Sequence, residues 1–150
     1  MQTPTAEAPL RTPSEREGRF NRLHAEHFEA VRRYAWRRDP ATADDVVAET
    51  FVVAWRRLEE VPTDQRGWLI GVARNVRLNV LRSQRRQQAL AARLPRESTP
   101  DLAENALPVP ISEALREALA GLSPLDREAL LLSAWEELDR GEIAVALDCS

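Results

Sequence analysis

Phe20, Leu23, Phe28, Val31, Tyr34 and Ala35 follow the spacing of one face of an amphipathic helix. Asp39-Pro40 ends that helix, because the residue before a proline is pushed out of the α region. Thr42 and Asp45, three apart, form a capping-box-like start for a second helix, with Asp44 and Asp45 favourable to its amino-end dipole. That helix carries Val46, Val47, Thr50, Phe51, Ala54, Trp55 and Leu58, and stops near Val61-Pro62. A polar loop, Thr63 to Gly67, leads into a third helix from about Trp68 to Arg86. Ile111, Leu115, Leu119 and Leu122 mark a short helix ended near Gly121. Ser123-Pro124 with Asp126 then supplies an N-cap, a proline at the first helical position and an acid in the first turn. The helix they start runs through Leu130, Leu131 and Trp135. Asp139-Arg140-Gly141 makes a turn, Glu142 to Leu147 begins another helix, and Asp148-Cys149-Ser150 is a further turn.

The pattern predicts an all-α fold of two helical modules joined by a flexible linker. Residues 1–18, with Pro4, Pro9 and Pro13, read as a disordered tail, and residues 19–86 as the first module. Residues 87–110, punctuated by Pro95, Pro100, Pro108 and Pro110, read as the linker. Fully extended, it spans roughly 80 Å at about 3.3 Å per residue. Residues 111–150 form the second module. There is no internal repeat.

Composition narrows the chemistry. The 150 residues are 43% hydrophobic and 30% charged with 5 Gly, which favours a soluble helical protein. No apolar stretch approaches the roughly 20 residues of a membrane span, and the first 20 residues lack an apolar signal core, so a cytoplasmic protein without membrane insertion is expected. Cys149 alone excludes an internal disulfide. His24 and His27 share a helix side without an evident third ligand, so no metal and no cofactor are expected. No Gly-rich phosphate loop, catalytic Ser/His/Asp order or carboxylate cluster points to an enzyme.

The net charge of −3 hides a polarity. Residues 19–96 carry 16 Arg against 9 acids, and residues 97–150 carry 3 Arg against 12 acids. From Gln65 to Arg96 there are eight Arg and no acid. Such a stretch attracts a polyanion whatever the whole-chain charge.

On the third helix, Leu69, Val72, Ala73, Val76 and Val80 fall within an arc of about 100°. Trp68, Asn75, Asn79, Arg82 and Arg86 make a stripe on the other side, flanked by Arg74 and Arg85. Arginines neutralise phosphates, Asn can read a base edge and Trp can stack on a base, which suits nucleic acid. The alternative is a solvated basic face with Trp68 tucked partly into the core. On the second helix, Asp45 and Glu49 share a face and, with Phe51 and Trp55, could dock a partner helix. Equally, the aromatics could be core and the acids caps.

Asp44-Asp45-Val46-Val47-Ala48-Glu49-Thr50-Phe51-Val52-Val53-Ala54-Trp55 resembles conserved region 2.2 of bacterial sigma factors of the sigma-70 family, extracytoplasmic-function type. Trp68-Leu69-Ile70-Gly71-Val72-Ala73-Arg74-Asn75, followed by Leu81-Arg82-Ser83-Gln84-Arg85-Arg86, resembles the promoter-melting helix of that family. Residues 122–128 and 141–150 resemble the start of region 4. Ala48 stands where the family commonly has Gln, and Asp148 where the turn usually has Gly.

The resemblance implies a non-catalytic promoter-specificity subunit. Core binding, to the clamp coiled coil of the RNA polymerase β′ subunit, would fall on Asp45, Glu49 and Trp55. The unpaired non-template strand of the −10 promoter element would meet the Glu59–Gly67 loop, Trp68, Arg74, Asn75, Asn79, Arg82, Arg85 and Arg86. An anti-sigma factor is a further implied partner. The resemblance also implies that residues 111–150 are a partial region 4, stopping before the recognition helix of a helix-turn-helix, with Ile143, Ala146 and Leu147 short of packing. The competing reading is a helical nucleic-acid-binding or adaptor protein without promoter choice.

Overall fold

A computed structural model describes residues 12–92 and 110–148. These contain six α-helices and no strand: α1 (Pro13–Arg38), α2 (Ala43–Arg56), α3 (Gln65–Ala92), α4 (Glu113–Ala120), α5 (Pro124–Trp135) and α6 (Arg140–Asp148). A short 3-10 turn, Leu58–Glu60, follows α2. The expected all-α class holds.

Several boundaries differ from the sequence reading. Thr12 caps α1 by accepting a hydrogen bond from the Glu15 amide at 3.2 Å, and Pro13 opens the helix, so residues 13–18 are helical rather than part of a tail. Thr42 precedes α2 but makes no capping bond; its hydroxyl donates instead to Asp39 Oδ2 at 2.9 Å. The third helix starts before Trp68 and continues past Arg86 to Ala92, taking in residues 87–92 of the expected linker. The rest of the tail and linker expectations, with Cys149, lie outside the described residues. Ser123 and Pro124 start α5 as their chemistry dictates, the Ser123 hydroxyl accepting from the Asp126 amide at 3.1 Å.

Helices α1, α2 and α3 pack pairwise around Val31, Tyr34, Val46, Ala54, Leu58 and Leu69, none more than 1% exposed. Leu132 on α5, Leu138 before α6 and Ala146 on α6 belong to the same cluster, so the two modules share one continuous core. The apolar side of α6, expected to lack packing, lies against α3: Ala146 is buried, and Ile143, Val145 and Leu147 are half-buried against the core. Burial of apolar surface on a neighbour is worth about 25 cal/mol per Å², enough to hold a short helix that is marginal alone.

The turn into α6 is built for this docking. Glu137 adopts a left-handed conformation (φ 53°), which swings Leu138 inward and Asp139 to the helix start. Asp139 Oδ1 accepts from the Glu142 amide and Glu142 Oε2 accepts from the Asp139 amide, both at 2.9 Å, closing a capping box.

Candidate nucleic-acid interface

The first turns of α3 are buried all round. Gly67 through Ala73 are all shielded from solvent, among them Trp68 at 5% exposure. The helical-wheel placement of Trp68 on an exposed stripe is therefore corrected: its ring faces the core, with the Arg57 guanidinium 5.5 Å from the ring centroid. The signal was available, since Gly67-Trp68-Leu69-Ile70-Gly71-Val72-Ala73 holds no polar side chain, and a helix segment apolar on every side is a buried one.

Beyond Ala73 the helix emerges. Arg74 and Asn75 are half-buried, whereas Asn79, Arg82, Arg85 and Arg86 are exposed. Arg82 Nη1 donates to Asn79 Oδ1 at 3.3 Å, and Arg86 Nε donates to the Arg82 carbonyl at 3.4 Å. This end presents the guanidinium groups of Arg82, Arg85 and Arg86 and the amide of Asn79, with no carboxylate on the helix. Trp68 lies roughly 16 Å from Asn79 along the helix axis at about 1.5 Å per residue, so it is not part of that surface.

On α2, Asp45 and Glu49 are exposed and one turn apart. Phe51 is core, at 6% exposure. Trp55 is half-buried beneath α1: Arg16 lies 4.4 Å over its ring, Arg16 Nη2 donates to its carbonyl at 2.6 Å, and Phe20 meets it edge-on at 5.4 Å. His24 belongs to the same aromatic cluster, stacked on Phe28 at 5.0 Å, and His27 Nε2 hydrogen-bonds Gln65 Oε1 at 3.1 Å. Both histidines thus have packing or hydrogen-bonding roles.

The acidic module docks on α1 and the amino-terminal half of α3 through three charged contacts that sequence reading did not find. Arg66 clasps Glu142 with both ends of its fork, Nε to Oε1 at 2.9 Å and Nη2 to Oε2 at 2.8 Å, while Gly67 abuts the Glu142 backbone. The Arg66 hydrogen bond holds the Glu142 carboxyl below the usual carboxylate range. Deeper in, Glu128 of α5 sits among α1 and α3 side chains. Arg38 Nη1 donates to its Oε2 at 2.7 Å, Tyr34 Oη donates to Oε1 at 3.4 Å, and Arg77 Nη2 lies 3.9 Å from Oε2. Burial alone would raise the Glu128 pKa, but Arg38, then Arg77 and Arg74, outweigh it and hold the group below its ordinary value. Nearby, Arg37 Nη1 donates to the Trp135 carbonyl and to Glu136 Oε1, the latter at 3.1 Å. There burial prevails over the pair and pushes the Glu136 pKa up. The available signal for Glu128 was its place three and four residues before the core residues Leu131 and Leu132, which puts a charge on the buried face of α5.

Residues 20–87 match the family model Sigma-70 region 2, and residues 112–150 match Sigma-70, region 4. The chain is 34% identical over 134 residues to the ECF RNA polymerase sigma factor SigL of Mycobacterium tuberculosis (strain H37Rv), covering 83% of this chain and 74% of the relative. It is 32% identical over 121 residues to the probable RNA polymerase sigma factor RfaY of Xanthomonas campestris pv. campestris, covering 75% of this chain and 30% of that one. No solved structure gives a significant match. The chain belongs to the sigma-70 family of RNA polymerase sigma factors, extracytoplasmic-function type. It is a promoter-specificity subunit of RNA polymerase.

Proposed function

We propose that Asp45 and Glu49 contact the RNA polymerase core, at the β′ clamp coiled coil, and that α3 holds the unpaired non-template strand of the −10 element. The exposed, one-turn spacing of the two acids supports the first contact; Trp55, ten and six residues further along α2 and partly covered by Arg16 and Phe20, would join it only at its exposed rim. The acid-free run of eight Arg from Gln65 to Arg96, with Asn79, Arg82, Arg85 and Arg86 open to solvent, carries the second. Arg74 and Asn75 extend that track toward the Glu59–Gly67 loop. Trp68 supports the loop from within the core instead of offering a stacking face. Arginines neutralise phosphates and set affinity; asparagines reach base edges and set choice. An anti-sigma factor belongs to the same proposal on family grounds, as does a site of action in the cell interior.

The test has two halves. Asp45→Arg or Glu49→Arg weakens association with core polymerase; Glu49→Arg leaves folding stability within about 0.5 kcal/mol, whereas Asp45→Arg costs about 1 kcal/mol because Asp45 sits in the first turn of α2. Arg82→Ala weakens binding of a single-stranded non-template oligonucleotide and flattens the log–log salt dependence by about 0.7 for one lost phosphate contact. Core association unaltered by either acid reversal contradicts the first half, and an unchanged salt slope contradicts the second.

A further inference from the structure

The Glu59–Gly67 loop is fastened at both ends and open in the middle. Leu58 and Val61, 1% and 7% exposed, anchor its start in the core. Pro62 follows, its φ fixed by the ring. At the far end α3 begins at Gln65, whose amide donates to the Thr63 carbonyl at 2.9 Å, while the Trp68 amide donates to the Asp64 carbonyl at 3.1 Å. Thr63 and Asp64 stand between these anchors, both exposed. The Gln65 side chain reaches back to α1, where its Oε1 lies 3.1 Å from Nε2 of the buried His27. Glu26 Oε1 is 3.9 Å from the same nitrogen on a side chain 69% exposed, too distant for a hydrogen bond. With Gln65 Oε1 as the acceptor, Nε2 carries the proton, and a buried N–H that lost this partner would be left unsatisfied.

We propose that His27 is a positioning residue for base selection: by holding Gln65 it fixes Thr63 and Asp64 where an unpaired base of the non-template strand is read. The inference rests on the proposed path of the strand past this loop. The loop has little with which to hold phosphate. Arg57 pairs with Glu60 at 2.7 Å and lies over the Trp68 ring, and Arg66 is clasped by Glu142. The side chains open to solvent, Glu59, Glu60, Thr63 and Asp64, are carboxylates and a hydroxyl, which meet base edges but add nothing to phosphate attraction. Affinity therefore falls to the arginines of α3, and choice depends on where the loop is held. Such contacts need placement to within about 0.5 Å, which a loop tied down by a side chain of the helix beneath it can keep. His27 touches no base; it acts through Gln65.

The full chain bound to core polymerase tests this with a randomised pool of single-stranded non-template oligonucleotides, read by sequencing what is retained. His27→Leu keeps a buried apolar side chain and removes the donor. Selection is lost at one position of the enriched motif, the preference there falling by about 5- to 150-fold, the discrimination of one good base-edge contact. Selection elsewhere in the motif persists, and the log–log salt slope of strand binding is unchanged, because no phosphate contact is lost. His27→Gln, whose amide nitrogen can donate to Gln65, restores the position. Gln65→Leu leaves α1 intact and loses the same position, and the double variant His27→Leu, Gln65→Leu loses no more than either alone. Equal enrichment by His27→Leu and the unsubstituted chain overturns the proposal, as does loss spread evenly over the motif or no recovery in His27→Gln. Should His27→Leu fail to fold, Gln65→Leu decides alone, and a position retained there overturns the proposal. In all these cases the strand reading stands, since the unsubstituted chain selects a motif. If the unsubstituted chain selects none, both fall.

Discussion

Gly67→Ala separates docking of the two modules from stability of the first. A Cβ at position 67 would lie 2.5 Å from the Glu142 carbonyl oxygen, 2.9 Å from its Cα and 3.0 Å from its carbonyl carbon. All three are backbone atoms, so no side chain can turn aside. Restoring ordinary contact requires α6 to retreat by about 1 Å. The retreat pulls Glu142 from Arg66 and thins the apolar contact around Ala146. Overpacking of this kind costs about 1–3 kcal/mol. The half-exposed ion pair adds at most about 1 kcal/mol. Within α3 itself the change is favourable, since Ala exceeds Gly by about 0.5–1 kcal/mol in a helix. The expected outcome is therefore split. Amide hydrogen exchange in α6 accelerates by about 5- to 150-fold, the equivalent of about 1–3 kcal/mol, while amides of α1 and α2 exchange no faster than before. Uniform acceleration through all helices would mean that Gly67 serves the first module, and unaltered α6 exchange in a folded variant would refute the packing of α6 on α3.

Acid should release the second module before the first. Glu128 and Glu142 both have depressed pKa values in the docked state, so each contributes stability that is present above the unfolded carboxylate value of about 4.3 and is lost as pH falls through the folded value. Protection of α6 measured by hydrogen exchange thus holds from neutral pH to about 5 and declines below about 4.3; a decline already complete at pH 6 would contradict this. Glu136 has the opposite sign, because burial raises its pKa despite Arg37, and its ionised form is disfavoured in the docked state. Glu136→Gln at pH 7 therefore leaves α6 protection unchanged or raises it, whereas Glu128→Gln lowers it, and equal losses from the two would sink the distinction. Leu132→Ala, at a fully buried position on α5, costs about 2–5 kcal/mol by thermal or denaturant unfolding, with a negligible loss contradicting the shared core.

Much of the architecture is local and therefore legible. Ser123-Pro124-Asp126 starts α5 because the cap, the proline and the acid act within one turn. Asp39-Pro40 ends α1 for an equally local reason. Thr42 fails as a cap because its backbone lies near the helical region (φ −108°, ψ −1°) instead of the extended N-cap conformation, which spacing alone does not resolve; its hydroxyl donates to Asp39. Trp68 is misplaced by a wheel that assumes one wet side, whereas α3 begins among its neighbours and meets solvent only after Ala73. The exposed part of the stripe, Asn79, Arg82 and Arg86, follows the wheel because none of the described residues covers that end. Glu128 and Arg77 acquire their roles from partners distant in sequence, Glu128 standing 90 residues from Arg38. Gly67 owes its constraint to the backbone of Glu142, which no local pattern reveals.

On the proposed roles of Asp45, Glu49 and α3, this chain gives RNA polymerase core a preference among opened promoter strands. Core enzyme and the chain, mixed with a randomised pool of single-stranded oligonucleotides, test it by sequencing what the assembly retains. The expected outcome is an enriched short motif that neither core alone nor the Asp45→Arg chain with core recovers. A retained pool as random as the input would contradict it.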